Sequence, residues 1–256
     1  MKIIQRLTDL VITLLLWSYF LFGSVAFFFL LYIPAYLFSK DRVRTFQKLS
    51  YLHMKIFFTL VRLLVLRTKF VIQEEVRAIR SSVIVCNHIS YLDPILLISL
   101  LPQQCTIVKS TFFTVPFFGW LLRNSGYIPS TPSEMTGPAM IKNLENIKKH
   151  LASGGNLFVF PEGTRSRNGK LTEFNKGVFS IARYCAAPLQ LVLLQGTNDL
   201  FRPGSFLFGT RNFSRIEVKI IRCLKPDYAS ENFSAAVLAD QSRAFFEDAV
   251  SRDADR

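Results

Sequence analysis

Charged residues are missing from the first part of this sequence. None occurs between Leu10 and Ser39. As a helix, that run would extend roughly 45 Å at ~1.5 Å per residue, beyond the ~30 Å hydrocarbon core of a bilayer. This absence excludes an ordinary soluble N-terminus and indicates a membrane anchor.

Three readings of the uncharged run remain open. It is one long tilted span, or two shorter helices that bend near Gly23 or Pro34, dip into the membrane and return. A cleaved signal peptide is the third, since residues 24–26 (SVA) resemble a cleavage site, but "FFFLLYIPAYLF" follows directly and does not suit a soluble mature N-terminus. The flanking cations place the downstream part on the cytoplasmic side. They are Lys40, Arg42, Arg44 and Lys48 after the run, against Lys2 and Arg6 before it.

Acidic residues and cysteines are also few. The chain has 18 Asp and Glu against 31 Lys and Arg, a formal charge of +13, and only four cysteines. A basic chain binds nucleic acid, anionic lipid or an acidic small molecule; here the charge is dispersed and the composition apolar, which favours lipid and argues against nucleic acid. The cysteines are widely spaced without a C-x-x-C, so we expect no metal, no disulfide framework and a reduced compartment.

Short apolar segments begin at about Thr68. Seven of them, rich in Val, Ile, Leu and Phe, are typical of strands, and longer helical stretches separate several of them. This alternation predicts an α/β fold with a mixed, partly parallel sheet flanked by helices. The predicted strands are TKFVIQ, SSVIVC, TIVK, SGYIPS, NLFVF, LQLVLL and IEVKIIRCL.

The predicted boundary between the two parts of the chain also lies near Thr68. We expect residues 1–67 to form membrane-associated helices and residues 68–256 one α/β domain. Residues 51–67 are either a core helix or a helix in the membrane interface. Thr131, Pro132 and Glu134 form a capping box that predicts a helix to Ala152. Further helices are predicted at 94–101, 176–187 and 231–250.

One of the three histidines lies at the end of a predicted strand, in "IVCNHISYLDP". If His88 ends the strand and Asp93 caps the next helix, the intervening turn brings the carboxylate to the imidazole. A carboxylate on one ring nitrogen leaves the other nitrogen as a base. Spacing alone leaves the alternative equally open, in which Asp93 only caps a helix.

A second polar group follows the strand "NLFVF". Glu162, Gly163, Thr164, Arg165 and Ser166 come directly after Pro161. A glycine amide, a hydroxyl and a guanidinium at a strand end suit a phosphate or carboxylate ligand. An exposed charged loop has much the same composition, so this segment alone does not decide.

Together the two segments resemble a known family. "NHISYLD", with Asn87, His88, Ser90 and Asp93, followed by "FPEGTRS", from Phe160 to Ser166, is similar to the glycerolipid acyltransferases, typified by 1-acylglycerol-3-phosphate acyltransferases. The intervening "VKSTFFTVPFFGWLLRNSGYI" also resembles the family, with Lys109 at its basic position. The likeness extends from the N-terminus to about Leu194.

The resemblance implies direct transfer of a fatty acyl group from acyl-CoA or acyl carrier protein to a lysophospholipid hydroxyl, giving phosphatidic acid. His88, oriented by Asp93, would be the base, with no enzyme nucleophile and no cofactor. It also implies a membrane enzyme of phospholipid biosynthesis, on the cytoplasmic membrane of a bacterium. The implied acceptor-binding residues are Glu162, Gly163, Thr164, Arg165 and Lys109, and the supporting motif residues are Asn87, Ser90, Phe160, Pro161 and Ser166.

Two departures concern the acceptor. Pro129 and Ser130 stand where the family has Asp and Arg, and Leu191 replaces a later proline. The acceptor is therefore lysophosphatidic acid or, because an arginine is lost, a lyso-aminolipid or glycolipid. A non-catalytic membrane protein that retains the fold is the third hypothesis, and the complete NHxxxxD motif argues against it.

Overall fold

The computed structural model describes residues 2–130, 137–166, 171–202, 204–210 and 213–254. The strands are β1 (Thr68–Ile72), β2 (Val83–Cys86), β3 (Gln104–Val108), β4 (Ile128–Pro129), β5 (Asn156–Val159), β6 (Leu189–Gln195) and β7 (Ser214–Leu224). Each coincides with one of the apolar segments predicted from the sequence.

The strands form one sheet in the order β1-β7-β6-β2-β5-β3-β4. Only the β6–β7 pair is antiparallel. The predicted α/β fold with a mixed, partly parallel sheet is therefore confirmed. The carboxyl ends of β2 to β6 all open at one edge, called here the carboxyl edge. The antiparallel pairing brings the amino ends of β7 and of its parallel neighbour β1 to that same edge.

Helices cover both faces of the sheet, which explains why the central strands lack a polar face. Val83 and Val85 point into one core, and Ile84 and Cys86 into the other. The first core includes residues of α8 (Gly137–Ala152), α9 (Lys176–Cys185) and α11 (Ala235–Ala254), and the second includes residues of α4 (Arg42–Leu64) and α6 (Leu92–Leu100). The shorter helices are α5 (Glu74–Ala78), α7 (Phe118–Asn124), α10 (Thr197–Leu200) and a 3-10 turn, Ser110–Thr114.

The uncharged N-terminal run lies within one continuous helix, of which the stretch Arg6–Phe38 has 33 residues. It joins α1 (Lys2–Ser18), α2 (Ser24–Phe27) and α3 (Ile33–Phe38) through π-helical turns at Tyr19–Gly23 and Phe28–Tyr32. The helix is long and apolar enough to cross a membrane, and its apolar outer surface supports association of the chain with a membrane.

The chain turns back after this helix rather than at Gly23 or Pro34. The turn lies between Phe38 and Arg42, and Asp41 caps α4 by accepting the amide N–H of Arg44 at 3.0 Å. Helix α4 then buries a stripe that includes Phe46, Phe57 and Val61 against the domain. Residues 51–64 thus form a core helix on that side, although its opposite face stays exposed. The capping box predicted at 131–134 lies outside the described residues.

His53 joins α4 to the N-terminal helix. Its ring stacks on Phe27 with centroids 4.5 Å apart and lies 5.3 Å from the ring of Tyr19. The side chain is buried, and Nε2 has no hydrogen-bond partner among the described residues. Burial among these rings lowers the pKa of His53 from 6.5 to about 4.

This histidine predicts a loss of stability in acid. Between pH 6.5 and about 4 the unfolded chain binds a proton at His53 that the folded chain does not, so stability falls as the pH drops through that window. His53→Phe keeps an aromatic ring and removes the proton site. We expect the variant to have a shallower fall of thermal unfolding temperature across this window, measured in detergent, and an unchanged slope would contradict the prediction.

Candidate functional site

The sheet brings both motifs to the carboxyl edge. His88 follows β2, Phe160 and its loop follow β5, and Lys109 follows β3. These three strands are neighbours, so side chains some seventy residues apart in sequence meet at one place. Ligand sites of open α/β sheets lie at this kind of edge.

His88 and Asp93 are in direct contact. His88 Nδ1 lies 2.9 Å from Asp93 Oδ2. A carboxylate only accepts hydrogen bonds, so Nδ1 carries the proton and Nε2 keeps its lone pair. The His88 side chain is 18% exposed and that of Asp93 is 0% exposed. The pair therefore presents one basic nitrogen to the outside and hides its carboxylate.

The Asp93 carboxylate is held by further donors. Oδ2 also accepts the amide N–H groups of Ile89 and Ser90, each at 2.7 Å, and Oδ1 accepts the hydroxyl of Thr197 at 2.5 Å. Because α6 begins at Leu92, Asp93 lies within the first helical turn rather than before it. The predicted N-cap position of Asp93 is therefore wrong, because Tyr91 occupies it without a side-chain cap bond. The Asp93 carboxylate instead accepts amides that precede the helix, and its predicted contact with the imidazole is present.

The first motif is attached to the rest of the sheet. The Asn87 amide donates to Leu194 O and accepts from Leu194 N, each at 2.8 Å, which ties the end of β2 to β6. Ser90 Oγ donates to Phe201 O at 3.1 Å and accepts the Leu92 N–H at 3.2 Å. These bonds make Asn87 and Ser90 structural residues of the turn.

The second motif encloses the His88 backbone and ring. Glu162 Oε1 accepts the His88 N–H at 2.9 Å, and the Ser166 N–H donates to His88 O at 2.8 Å. The ring of Phe160 stacks on the imidazole with centroids 4.3 Å apart. The two motifs form one hydrogen-bonded unit in which the orientation of the imidazole is fixed from three sides.

Within the second loop, each predicted residue has a distinct environment. The other Glu162 oxygen lies 3.2 Å from Thr172 N, so both carboxylate oxygens bind protein donors. Gly163 has a φ of +67°, the left-handed region that favours glycine. Thr164 is exposed, and Pro161 is buried, with its carbonyl accepting Asn175 N at 2.8 Å. The acceptor-binding roles of these residues stay predictions.

Arg165 is the most unusual side chain of the loop. Its guanidinium carbon lies 3.7 Å from the ring centroid of Tyr91. Nε and Nη1 are buried, with no hydrogen-bond partner among the described residues. Buried N–H groups of a cation are costly to leave unpaired. An anionic ligand that reaches these nitrogens would supply the missing acceptors.

The residue after β3 follows the family pattern, whereas the residue after β4 departs from it. Lys109 is exposed at the end of β3, and Ser130, where the family has an arginine, is exposed after β4. Ser130 N donates to Val108 O at 2.8 Å, so its backbone continues the sheet. Arg123 of α7 offers a further cation in this region, and its Nη2 donates to Phe113 O at 2.7 Å. Its guanidinium keeps other nitrogens for a ligand.

The cysteine nearest the site is unsuited to nucleophilic catalysis. Cys86 lies two residues before His88 and is fully buried. Burial, and then the negative charge of Asp93, raise the pKa of its thiol well above the usual value, so it stays protonated. Within the described ranges, no group of three or more His, Cys, Asp and Glu side chains could hold a metal ion.

Sequence reasoning missed two contributors. Thr197 bonds Asp93 from the turn after β6, and Tyr91 packs on Arg165. Thr197 follows Gly196, whose φ of +75° and close approach to the backbone of Arg215 exclude a side chain there. The "QGT" turn was the available signal, but nothing in the sequence indicates which polar group the threonine faces.

Comparisons with known proteins agree with this geometry. Residues 67–216, more than half of the chain, match the Acyltransferase family. The chain belongs to the Acyltransferase family. The sequence is 34% identical over 161 residues to the chloroplastic 1-acyl-sn-glycerol-3-phosphate acyltransferase of Brassica napus, covering 63% of this chain and 44% of that protein. It is 33% identical over 169 residues to the Saccharomyces cerevisiae 1-acyl-sn-glycerol-3-phosphate acyltransferase, covering 64% of this chain and 52% of that one.

The fold has a solved counterpart. The crystal structure of the 1-acyl-sn-glycerophosphate acyltransferase of Thermotoga maritima superposes with a TM-score of 0.74 at 21% identity, covering 98% of each chain. This likeness confirms the fold, including the N-terminal helices. The acyltransferase chain spans about half the length of the curated relatives it matches.

Thr197 provides a test of the site geometry. Hydrogen bonds to charged groups are worth about 1.5–3 kcal/mol, so Thr197→Val should lower kcat roughly ten- to hundredfold. Without this donor the Asp93 carboxylate holds the His88 ring less firmly in its orientation. The loss should therefore fall on kcat, with KM little changed.

Two variants serve as controls for this measurement. Thr197→Ser keeps the hydroxyl and should restore most of the rate. Thr68→Val removes another buried hydroxyl, in β1, which contacts Ser214 Oγ of β7 at 2.8 Å, and should leave kcat nearly unchanged. If Thr197→Val lowers only the thermal stability and leaves kcat unchanged, Thr197 does not position the pair.

Proposed function

We propose that this chain transfers a fatty acyl group from an acyl thioester to the free hydroxyl of 1-acylglycerol-3-phosphate, forming phosphatidic acid. The observation that carries the proposal is the His88–Asp93 hydrogen bond, which leaves Nε2 as the basic nitrogen of a partly exposed ring. Family membership and the printed names of the relatives support the same activity.

The reaction needs one base and no covalent intermediate on the enzyme. His88 Nε2 takes the proton of the lysolipid hydroxyl as its oxygen attacks the thioester carbonyl. The tetrahedral intermediate collapses with cleavage of the C–S bond, and the thiolate takes the proton from the imidazolium. During the step that makes His88 positive, the buried Asp93 carboxylate stabilises the charge.

Arg165 supports a phosphate on the acceptor. Its buried Nε and Nη1, which have no hydrogen-bond partner within the described part of the chain, lie on the loop that also stacks Phe160 against His88. A guanidinium binds a phosphate through paired N–H groups, which fixes distance and orientation. At the same edge, Lys109 would add positive charge, and the Gly163–Thr164 turn would add hydrogen-bond donors. Glu162 would act indirectly, by holding the His88 backbone.

A phosphate-free acceptor remains the second candidate. Ser130 stands where the family has an arginine, so one cation of the usual acceptor site is absent. A lyso-aminolipid or glycolipid would not need that cation. The non-catalytic alternative has less support, because the base, its carboxylate and the second motif are assembled with normal hydrogen-bond lengths.

The proposed location of the enzyme is based on the N-terminal segment. We propose that the apolar helix holds the enzyme at the cytoplasmic membrane of a bacterium, with residues 68–256 on the cytoplasmic side, where acyl-CoA or acyl carrier protein supplies the donor. The cations that follow the helix support this orientation.

An acceptor panel tests the activity. Purified protein in detergent is given labelled acyl-CoA or acyl carrier protein with lysophosphatidic acid, a lyso-aminolipid or a lysoglycolipid. We expect transfer to lysophosphatidic acid, and His88→Ala should lower kcat at least about a thousandfold, because it removes the base. Activity retained by His88→Ala would overturn the mechanism, and transfer only to a phosphate-free acceptor would favour the second candidate.

A charge-conserving variant tests the phosphate contact. Arg165→Lys keeps the positive charge and loses the paired N–H groups, so KM for lysophosphatidic acid should rise roughly ten- to hundredfold. For a phosphate-free acceptor, KM should stay nearly constant. Arg183→Lys is the matched control, since Arg183 also packs on an aromatic ring, Phe233, at 4.8 Å. Equal losses with both acceptors would mean that Arg165 does not bind the phosphate.

A further inference from the structure

Asp9 is the only acidic residue in the sequence of the apolar helix Arg6–Phe38. It is buried, with 5% of its surface exposed, although its neighbours Leu7 and Leu10 are exposed. A carboxyl group is costly to bury, and acidic residues in apolar membrane helices are rare and mark functional sites. Neither the catalytic pair nor the acceptor site described above uses Asp9.

Asp9 belongs to a row of three polar contacts on one face of α1, called here the ladder. Three helix residues, each four positions after the last, bond every second residue of the segment that follows α10. The pairs are Asp9 Oδ1 with the Thr210 hydroxyl, Thr13 Oγ1 with the Phe208 N–H at 3.0 Å, and Trp17 Nε1 with Phe206 O at 3.3 Å. Positions four apart lie on one face of a helix, so this face of α1 holds the segment at three successive points.

The beginning of the same segment bonds the first motif. Phe201 O accepts the Ser90 hydroxyl at 3.1 Å. Phe201 N donates to Thr197 O at 3.0 Å, and the Thr197 hydroxyl donates to Asp93 Oδ1 at 2.5 Å. The segment after α10 therefore connects the N-terminal helix to the residues that orient His88.

Gly209 attaches the end of this segment to α10. Its N–H donates to Leu200 O at 2.8 Å, and a Cβ on it would lie 2.7 Å from Asp199 O, so the two backbones approach closely. The neighbouring Phe208 is buried, and its ring centroid lies 4.9 Å from that of Phe201. A displacement of the segment at the ladder would therefore also displace α10.

We propose that Asp9 and Thr13 are positioning residues of the acyl transfer reaction. Through the segment after α10, they hold the Thr197 hydroxyl on the Asp93 carboxylate and the Phe201 carbonyl beside the first motif. The N-terminal helix thus completes the catalytic site, in addition to its association with the membrane. This inference rests on the proposed function, because it concerns the rate of acyl transfer. Both residues act through other residues rather than on the reacting atoms.

Truncation of Asp9 tests the proposal by steady-state kinetics in detergent. Asp9→Ala removes the acceptor of the Thr210 hydroxyl and should lower kcat about tenfold, with KM within about twofold of the parent value. Asp9→Asn keeps a side-chain oxygen as acceptor and should restore kcat to within about threefold. Tyr32→Phe is the matched control, because it removes a hydroxyl of the same helix that contacts Ser50 Oγ of α4 at 2.9 Å, and it should leave kcat unchanged.

A double variant tests the connection from Asp9 to the catalytic pair. If Asp9 acts through Thr197, Asp9→Ala should lower kcat by less than about threefold when Thr197→Val is already present. A further loss of the full tenfold would mean that the two residues act independently, and it would overturn the proposal. The proposal also fails if Asp9→Ala alone lowers the thermal unfolding temperature but keeps the parent kcat.

Amide hydrogen exchange tests the same connection without relying on activity. In Asp9→Ala we expect faster exchange in residues 197–210 and in the turn at 88–93, where the amides of Ile89 and Ser90 bond Asp93, with β3 and β5 as protected as in the parent. Tyr32→Phe should leave exchange in both segments unchanged. Unchanged exchange at 88–93 in Asp9→Ala, or faster exchange over the whole chain, would contradict the proposal. Inactivity of the parent protein with every acceptor of the panel would refute the proposed function instead.

Discussion

The buried carboxylate of Asp93 is the constraint on which the site depends. A charge with no exposed surface is tolerated only when donors surround it, and here two backbone amides, one hydroxyl and the His88 ring do so. The amides belong to the turn after β2, and the hydroxyl follows β6. Packing of these strands side by side is therefore what assembles the carboxylate site, and the orientation of the imidazole follows from it.

The second motif completes that arrangement from the neighbouring strand. Glu162 and Ser166 bond the two backbone polar groups of His88, and Phe160 covers the ring. Beside this unit, Arg165 has buried nitrogens that no other described residue pairs. One loop thus both fixes the base and offers a cation to a ligand.

The strands of the sheet and the contact between His88 and Asp93 were predictable from the sequence for physical reasons. Apolar runs such as "SSVIVC" are buried on both faces of a parallel sheet, so the strands were identified, and the spacing of His88 and Asp93 suggested their contact. Thr197 was not predictable, because its partner is 104 positions away in sequence and only the order of strands brings them together. The turn near Asp41 was also missed, since the helix continues through Gly23, which ends the first π-helical turn, and through Pro34, in the first turn of α3.

The central claim is that Asp93 makes His88 a base by holding the proton on Nδ1, and Asp93→Asn tests it most directly. The amide has nearly the same shape but can donate to Nδ1, which would place the imidazole proton on Nε2. Steady-state kinetics with lysophosphatidic acid should then show kcat lower by about 10³- to 10⁴-fold, with KM within about threefold of the parent value. A variant whose kcat stays within tenfold of the parent enzyme would contradict the account.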